Sequence, residues 1–359
     1  MMIPYFLKNK IILNDMDEIY SGDFDWRVFD GKTIYISGSY GMLASYIVFF
    51  LSYLKEIKGI DLKMIAQGRN RQKAVDRFGS LFECSYFEYT DENFLFDDSY
   101  RVSEADYVIH SAGIANPRFY GTNPVEVLEP NVIGTYNLLR KCDKDRLKGF
   151  LFLSSCDVYG SVGDPDNITE DCSGSVDPLD PHSCYSEGKR CGESFLAAYS
   201  REYGLRTVIA RVGHTFGPTM DLENDPRVFA SFMKNAVDGS DIIMHSDGTA
   251  KRAFCYISDA VLAYLMLLVN GNSGEAYNVT NTDQMLEIKK VADIISNLTC
   301  GRTNVVMKTR NDKDNYLKDN VNRQNRPVED KIKKLGWVHR VDAAEGFSRV
   351  YRYFTDKTV

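Results

Sequence analysis

At 359 residues and 44% hydrophobic content, the chain has the apolar material for one large domain or two ordinary ones, each with its own core. A formal charge of -7 argues against nucleic acid or an anionic membrane as the main partner, since both select basic surfaces, and leaves room for an anionic small molecule in a locally basic pocket. The eight scattered cysteines form no Cys-x-x-Cys pair, the N-terminus has no signal-peptide core, and the most apolar runs, 46–54 and 260–269, are too short to span a bilayer; free thiols, a cytoplasmic location and no membrane role are the expectations.

Residues 1–30 form an acidic lead-in with Tyr20, Phe24, Trp26 and Phe29, read as an arm packed on the domain that follows. From Lys32 the pattern turns regular: an apolar β-rich run at 33–37, glycines at 38 and 41, and a helix over 42–54. A second strand is predicted at 62–66 and a short third near 84–87. The fourth, 105–113, ends in Ser111, Ala112 and Gly113, small enough for a strand end that faces a ligand. Helical segments at 124–129 and 131–142 lead to a fifth strand, 150–154, and a helix from Tyr185 to about Tyr203 leads to a sixth, 206–211. Strands alternating with helices predict an α/β fold, a Rossmann-type doubly wound parallel sheet over residues 31–212. Beyond 213 the order loosens into a Gly-, Pro- and Asp-rich stretch at 213–226, helices at 228–237 and 259–270, a strand at 276–280, a polar loop-rich region at 301–326, then the segment 331–337 and a final amphipathic helix near 343–354. Residues 213–359 are therefore expected to form mostly a smaller C-terminal substrate-binding lobe, with segments returning to the first domain. No internal repeat is present.

Two constellations carry chemistry. Gly38-Ser-Tyr-Gly41-Met-Leu-Ala44 follows a strand and opens a helix in the form G-x-x-G-x-x-A. Gly38 permits the tight turn, Gly41 lets backbone approach a pyrophosphate, Ala44 lets helix and strand pack closely, and the helix N-terminus faces the anion. This predicts a bound dinucleotide, against the bland reading of an ordinary strand-to-helix turn. The acid expected at the end of the second strand is absent, for that place reads Ala66-Gln-Gly-Arg69-Asn70. Three roles stay open for Arg69: pairing with a 2′-phosphate, which would make the cofactor NADP rather than NAD, stacking on adenine, or plain solvation.

The second constellation is Ser155 at the tip of the fifth strand with Tyr185 and Lys189. Tyr185 and Lys189 are four apart, so on a helix they share a face. A neighbouring ammonium stabilises phenolate and lowers a pKa that is otherwise about 10, which would make the tyrosine a usable base near neutrality. Tyr353 and Lys357 repeat the spacing with no serine-tipped strand before them, which is what chance supplies among 22 tyrosines. Ser155 would hydrogen bond at the reacting hydroxyl. No G-x-S-x-G elbow supports a serine hydrolase, and no set of His, Cys and carboxylates has metal-ligand spacing. His110 is expected to pack at the cofactor's edge and His339 to lie on the surface, while His245 has a base-stacking and a plain loop reading.

With these residues on the page, the chain resembles the extended short-chain dehydrogenase/reductase family that modifies nucleotide sugars, over roughly residues 32–355. Its match looks closest to UDP-glucuronate decarboxylases, through Asn123-Pro-Val, Asn131-Val-Ile-Gly-Thr-Tyr-Asn-Leu-Leu, Cys184-Tyr-Ser-Glu-Gly-Lys-Arg190, Thr215-Phe-Gly-Pro-Thr-Met220, Asp225-Pro-Arg-Val228, Arg252-Ala-Phe-Cys-Tyr-Ile-Ser-Asp259 and Leu335-Gly-Trp337. The resemblance implies that Ser155, Tyr185 and Lys189 are catalytic and that Arg227 and Arg252 hold a nucleotide diphosphate. It also implies a bound NAD reduced and reoxidised within one turnover, a nucleotide-sugar substrate, and a homodimer built on the helices at 124–142. Oxidation at the sugar C4 gives a 4-keto intermediate, from which a uronate loses carbon dioxide and a 6-hydroxy sugar loses water or inverts.

The chain also departs from its relatives. Cys156 and Asp157 stand where the family's dehydratases have Asp-Glu, and decarboxylases have Glu where Asp157 stands. His182 replaces a common Arg, and His214 a common Asn, near the expected sugar. Cys156 is open to an acid/base role at the ring or to plain burial. Decarboxylation of a UDP-uronate is the leading outcome, with 4,6-dehydration or epimerisation as the alternative. A non-catalytic dinucleotide-binding scaffold or redox sensor is the reading of another class, against which the intact trio argues.

Overall fold

The structure is a computed structural model that describes residues 4–97, 101–308 and 325–356. Its centre is a seven-stranded sheet made of β1 (Lys32–Ser37), β2 (Leu62–Gln67), β3 (Phe87–Thr90), β4 (Tyr107–His110), β5 (Gly149–Ser155), β6 (Thr207–Val212) and, from far along the chain, β10 (Glu275–Val279). The order across the sheet is β10-β6-β5-β4-β1-β2-β3, and every pairing is parallel. β1 and β5 read as continuous apolar runs because helices cover both faces, the usual condition of a parallel sheet. Between β1 and β4 the winding reverses direction, which opens a crevice at the carboxyl ends of those strands.

On one face lie α1 (Lys10–Tyr20), α2 (Met42–Glu56), α3 (Arg71–Phe78) and α8 (Ile257–Asn270), sharing a core with Ile34, Met64 and Val208. Helix α2 is buried from Ala44 to Leu54, so it shows no polar stripe. On the other face α5 (Thr135–Lys141) and α6 (Cys184–Tyr203) pack on Tyr35, Phe150 and Phe152, and α4 (Pro124–Glu129) lies against α6 through Val127. The two helical segments expected at 124–142 are joined by a π turn, Pro130–Gly134. Pro130 has no N–H to continue the ladder, and a bulge is the ordinary response.

The second lobe is built on β7 (His214–Phe216), β9 (Lys251–Tyr256) and β11 (Met285–Glu287), with β8 (Ile242–Met244) paired to β12 (Val305–Met307). Helices α7 (Val228–Asp238), α9 (Ile288–Asn297), α10 (Asp330–Lys333) and α11 (Ala343–Thr355) complete it. Phe216, Phe229, Phe254 and Phe347 form its aromatic centre, with Phe216 stacked on Phe347 at 4.2 Å.

Three sequence expectations are corrected. The third strand begins at Phe87 rather than Cys84, because Gly79–Glu83 winds into a 3-10 turn that uses up the chain before it. The N-terminal arm contains an 11-residue helix, α1, capped by Asn9. β12 appears inside the stretch read as loop, held by pairing with β8, while residues 309–324 of that stretch and Lys357 lie outside the described residues. All eight cysteines are free, and no helix among the described residues is long and apolar enough to cross a membrane.

Candidate active site

Strand β5 delivers Ser155 to the carboxyl edge of the sheet, where its Oγ accepts the Asp157 N–H at 3.1 Å. Helix α6 begins at Cys184, so Tyr185 and Lys189 lie one turn apart on the face turned to β5. Lys189 Nζ donates to Leu153 O at 2.6 Å and lies 4.6 Å from the centroid of the Phe152 ring. Ser155 and Tyr185 are each 8% exposed and Lys189 4%. That burial decides their protonation. It draws Lys189 down to about 7, against the pull of Glu193. It drives the Tyr185 phenol well above its ordinary value, with the Asp157 charge adding to the rise and the Ser155 hydrogen bond opposing it. The spacing predicted a phenol made more acidic by the ammonium; desolvation outweighs that effect.

The turn after β1 fits a dinucleotide. Gly38 has φ +64°, and a Cβ there would lie 2.7 Å from Ala112 Cα, so the two strand ends close on one another only because this residue has no side chain. Gly41 stands at the N-cap of α2 without any side-chain cap, leaving first-turn N–H groups to face an anion. Ser39 Oγ is buried with no hydrogen-bond partner among the described residues, an acceptor or donor awaiting a ligand. Ala44 is fully buried against the core, as its role in the motif demands. Ser111 and Ala112 donate backbone N–H groups toward Ser37 Oγ at 3.2 and 3.3 Å, and a Cβ on Gly113 would stand 3.6 Å from Lys189 Nζ. Where an acid was expected, Gln67 instead accepts the Gly38 N–H and donates to Glu92 O. Arg69 is exposed just beyond β2. These features fit a dinucleotide laid between α2, β4 and Lys189.

A cleft of about 1230 Å³ runs past Ser111, Gly113, Ser155, Tyr185 and Lys189 to Thr215 and Arg227. Arg227 is fixed at the start of α7 by Asp225 and by Thr215 O at 2.7 Å. His214 and Arg252 come from the neighbouring strands β7 and β9. The His214 imidazole is held down to about 3, by burial first and then by the Arg252 and Arg227 charges, so it is neutral. Burial lowers the Arg252 guanidinium against the opposing pull of the Asp157 charge, and that same charge adds to the rise of the Tyr185 phenol.

His214 and Arg252 are not among the residues lining this cleft, and three further candidates also stay outside it. Cys156 opens the 3-10 turn Cys156–Tyr159 that follows β5, and its Sγ lies 3.4 Å from Arg211 O among Val158, Tyr159 and Ile168. Burial and the Asp157 charge push its thiol well up. His182 is 46% exposed on the 3-10 turn before α6, its Nδ1 3.2 Å from Asp180, which caps that turn and swings the ring outward. His245 is exposed just after β8, and neither histidine lines the cleft.

His110 is fully buried, bonded to Ser37 Oγ at 2.6 Å and to Pro130 O at 3.1 Å, as a packed residue at the end of β4. The Asp283, Glu329 and His339 ligand atoms approach within 4.8 Å of one another, but Glu329 is already bound by Thr282 and Lys333, each at 2.9 Å. Sequence reasoning gave no role to Tyr120, whose ring stacks on Tyr185 at 5.2 Å and 12°, or to Glu193 behind Lys189. Tyr120 sits in an irregular loop with no periodic signal. Glu193 had one, its four-residue step from Lys189.

Residues 34–280 match the NAD dependent epimerase/dehydratase family. The chain is 35% identical over 246 residues to UDP-glucuronic acid decarboxylase 6 of Arabidopsis thaliana, covering 68% of each protein. It is 32% identical over 253 residues to UDP-glucuronic acid decarboxylase 1 of Danio rerio, where the match spans 70% of this chain and 58% of that one. Among solved structures, a UDP-glucose 4-epimerase from Thermotoga maritima has a TM-score of 0.77 at 23% identity, covering 91% of this chain and 100% of that one. A UDP-glucuronic acid 4-epimerase from Bacillus cereus in complex with NAD has a TM-score of 0.73 at 20% identity, covering 90% and 97%. These structural likenesses are likenesses of fold.

Proposed function

The chain belongs to the NAD dependent epimerase/dehydratase family, and from that premise we propose that it is an enzyme that oxidises C4 of a nucleotide-linked sugar and decarboxylates a UDP-uronate such as UDP-glucuronate. The observation that carries the reading is the convergence of Ser155, Tyr185 and Lys189 in one cleft, with Asp157 and Arg252 acting on each other beside the phenol. Gly38, Gly41 and Lys189 would hold NAD, which when bound would supply a hydride acceptor and donor at C4, so that no outside oxidant would be consumed.

Once its own proton has been lost, Tyr185 takes the proton of the 4-hydroxyl, with Ser155 hydrogen bonded at the same oxygen and the Lys189 ammonium stabilising the phenolate against the burial that favours the phenol. The ketone so formed is β to the uronate carboxylate. The C5–carboxylate bond can then break with its electron pair delocalised into the carbonyl, whose oxygen Tyr185 and Ser155 stabilise by hydrogen bonds, and a proton from water then replaces the lost carboxylate at C5 and re-forms the ketone. Arg252 offers a cation for the carboxylate, and Arg227 one for the diphosphate. Dehydration requires a second acid or base next to Asp157. Cys156, turned toward the Arg211 carbonyl with its thiol pushed up, is a poor candidate, which favours decarboxylation over 4,6-dehydration. We further infer pairing of two copies through the α4–α5 helix, where Val125, Ile133 and Tyr136 are exposed.

Incubation with UDP-glucuronate, UDP-glucose, dTDP-glucose, GDP-mannose and CDP-glucose, followed by mass analysis, tests the reading. UDP-glucuronate should lose carbon dioxide. Loss of water, or an isomer of unchanged mass, would replace this outcome with dehydration or epimerisation. Tyr185→Phe should lower turnover by about 10²- to 10⁴-fold, and undiminished turnover would remove Tyr185 from the mechanism.

A further inference from the structure

Lys189 is a buried cation, and the groups that govern its charge lie behind it. One helical turn on along α6, Glu193 accepts Ser154 Oγ–H at 2.6 Å and Arg211 Nη2–H at 2.7 Å, with Arg211 Nε bridging both carboxylate oxygens. The Glu193 and Arg211 side chains are 11% and 14% exposed, and neither residue lines the cleft. Arg211, near the end of β6, is pinned in turn through Tyr159 Oη at 3.0 Å and Glu170 O at 2.9 Å. The network thus ties β5, β6 and α6 together, with Glu193 one helical turn from Lys189 and its charge favouring the ammonium.

The other groups around Lys189 supply no opposite charge. On its own helix there is the protonated Tyr185. Strand β5 offers the Leu153 carbonyl and the face of Phe152, and β4 offers His110, whose imidazole is kept neutral by burial and by Lys189 itself. The π turn offers Asn131, whose Oδ1 has no hydrogen-bond partner among the described residues.

From this geometry we propose that Glu193, its charge moderated by Arg211 and Ser154, is a positioning residue that keeps a proton on Lys189 and so sets the pH range in which Tyr185 can take the substrate's proton. The catalytic half of this statement rests on the C4-oxidation reading; the electrostatic half does not. Charge arithmetic gives the partners opposite effects. Deleting the carboxylate removes the attraction that favours the ammonium, whereas deleting Arg211 or Ser154 leaves a carboxylate less neutralised and a stronger attraction.

The test is an NMR titration of the protein with ¹³Cε-labelled lysine, the Lys189 signal identified by its loss in Lys189→Met. Glu193→Gln should lower the Lys189 midpoint by about one unit, Arg211→Gln should raise it by a similar amount, and Glu193→Asp should restore most of it. Ser154→Ala, a mild change that keeps the fold, should raise it by less. Midpoints that stay put in Glu193→Gln and Ser154→Ala, or that move in the same direction in Glu193→Gln and Arg211→Gln, overturn the proposal. The basic limb of the pH profile of turnover should follow the lysine; a lysine that shifts while that limb does not overturns the link to catalysis. Absence of turnover on every sugar nucleotide would strike the functional reading and leave the titration result standing.

Discussion

At the scale of single residues, the site depends on side chains that are missing as much as on those present. Gly38 is the sharpest case, because its positive φ and its 2.7 Å approach to Ala112 act together. Gly38→Ala should strain the turn by about 1–2 kcal/mol and push β4 away from the cradle, weakening NAD binding by more than about tenfold while circular dichroism stays native. Calorimetric titration with NAD measures it, and unchanged affinity would mean that the cofactor does not lie over this turn. The G-x-x-G-x-x-A pattern and the Tyr185–Lys189 spacing were legible because each is a short-range relation fixed by the local backbone. The direction of the Tyr185 shift was not, since it depends on how much water the whole lobe excludes. The orientations of Cys156 and His182 were hidden for the same reason. One depends on the Arg211 carbonyl 55 residues away and the other on a capping turn.

At the scale of elements, α1 is the clearest surprise. Its Asp15 is fully buried and takes hydrogen bonds from Tyr46 on α2, from Tyr256 at the end of β9 at 2.7 Å, and from Arg349 on α11 at 2.8 Å. One carboxyl thus joins the arm, the cofactor helix and the second lobe. Burial outweighs these partners and lifts its pKa to about 6. The unfolded value is about 3.9, so between about pH 4 and 6 the folded state holds a proton that the unfolded state has lost. This group's contribution to stability therefore falls as pH rises through that window, by about 2–3 kcal/mol at most. Asp15→Asn should remove the dependence, which denaturant unfolding at pH 4.5 and 6.5 would show as a smaller difference between the two conditions than in the unaltered protein. An equal difference would mean that Asp15 titrates normally. The sequence marked this stretch as an aromatic arm, but a helix whose buried face meets three distant elements has no local signature beyond its modest amphipathic pattern.

At the scale of the whole molecule, a division at residue 212 describes the winding of the chain better than its cohesion. Ile34, Leu151 and Val208 of the sheet share one continuous core with Phe254, Tyr264 and Phe347 of the later segments. Helix α8 leaves β9 to cover the main sheet, and β10 adds its seventh strand beside β6. Thermal unfolding of the protein should therefore be one cooperative transition; two resolved calorimetric peaks would mean that the lobes are separate units. The sequence by itself determined the alternation of strands and helices, the dinucleotide turn and the catalytic spacing. Hydrophobic period, glycine geometry and an i,i+4 step all act within a few residues. The tertiary structure alone decided which late segments return to the sheet, that the candidate histidines stay off the cleft lining, and how far burial lowers Lys189. Those outcomes depend on burial and on pairings between residues far apart in the chain, as Glu193 with Arg211 and Asp15 with Arg349 demonstrate.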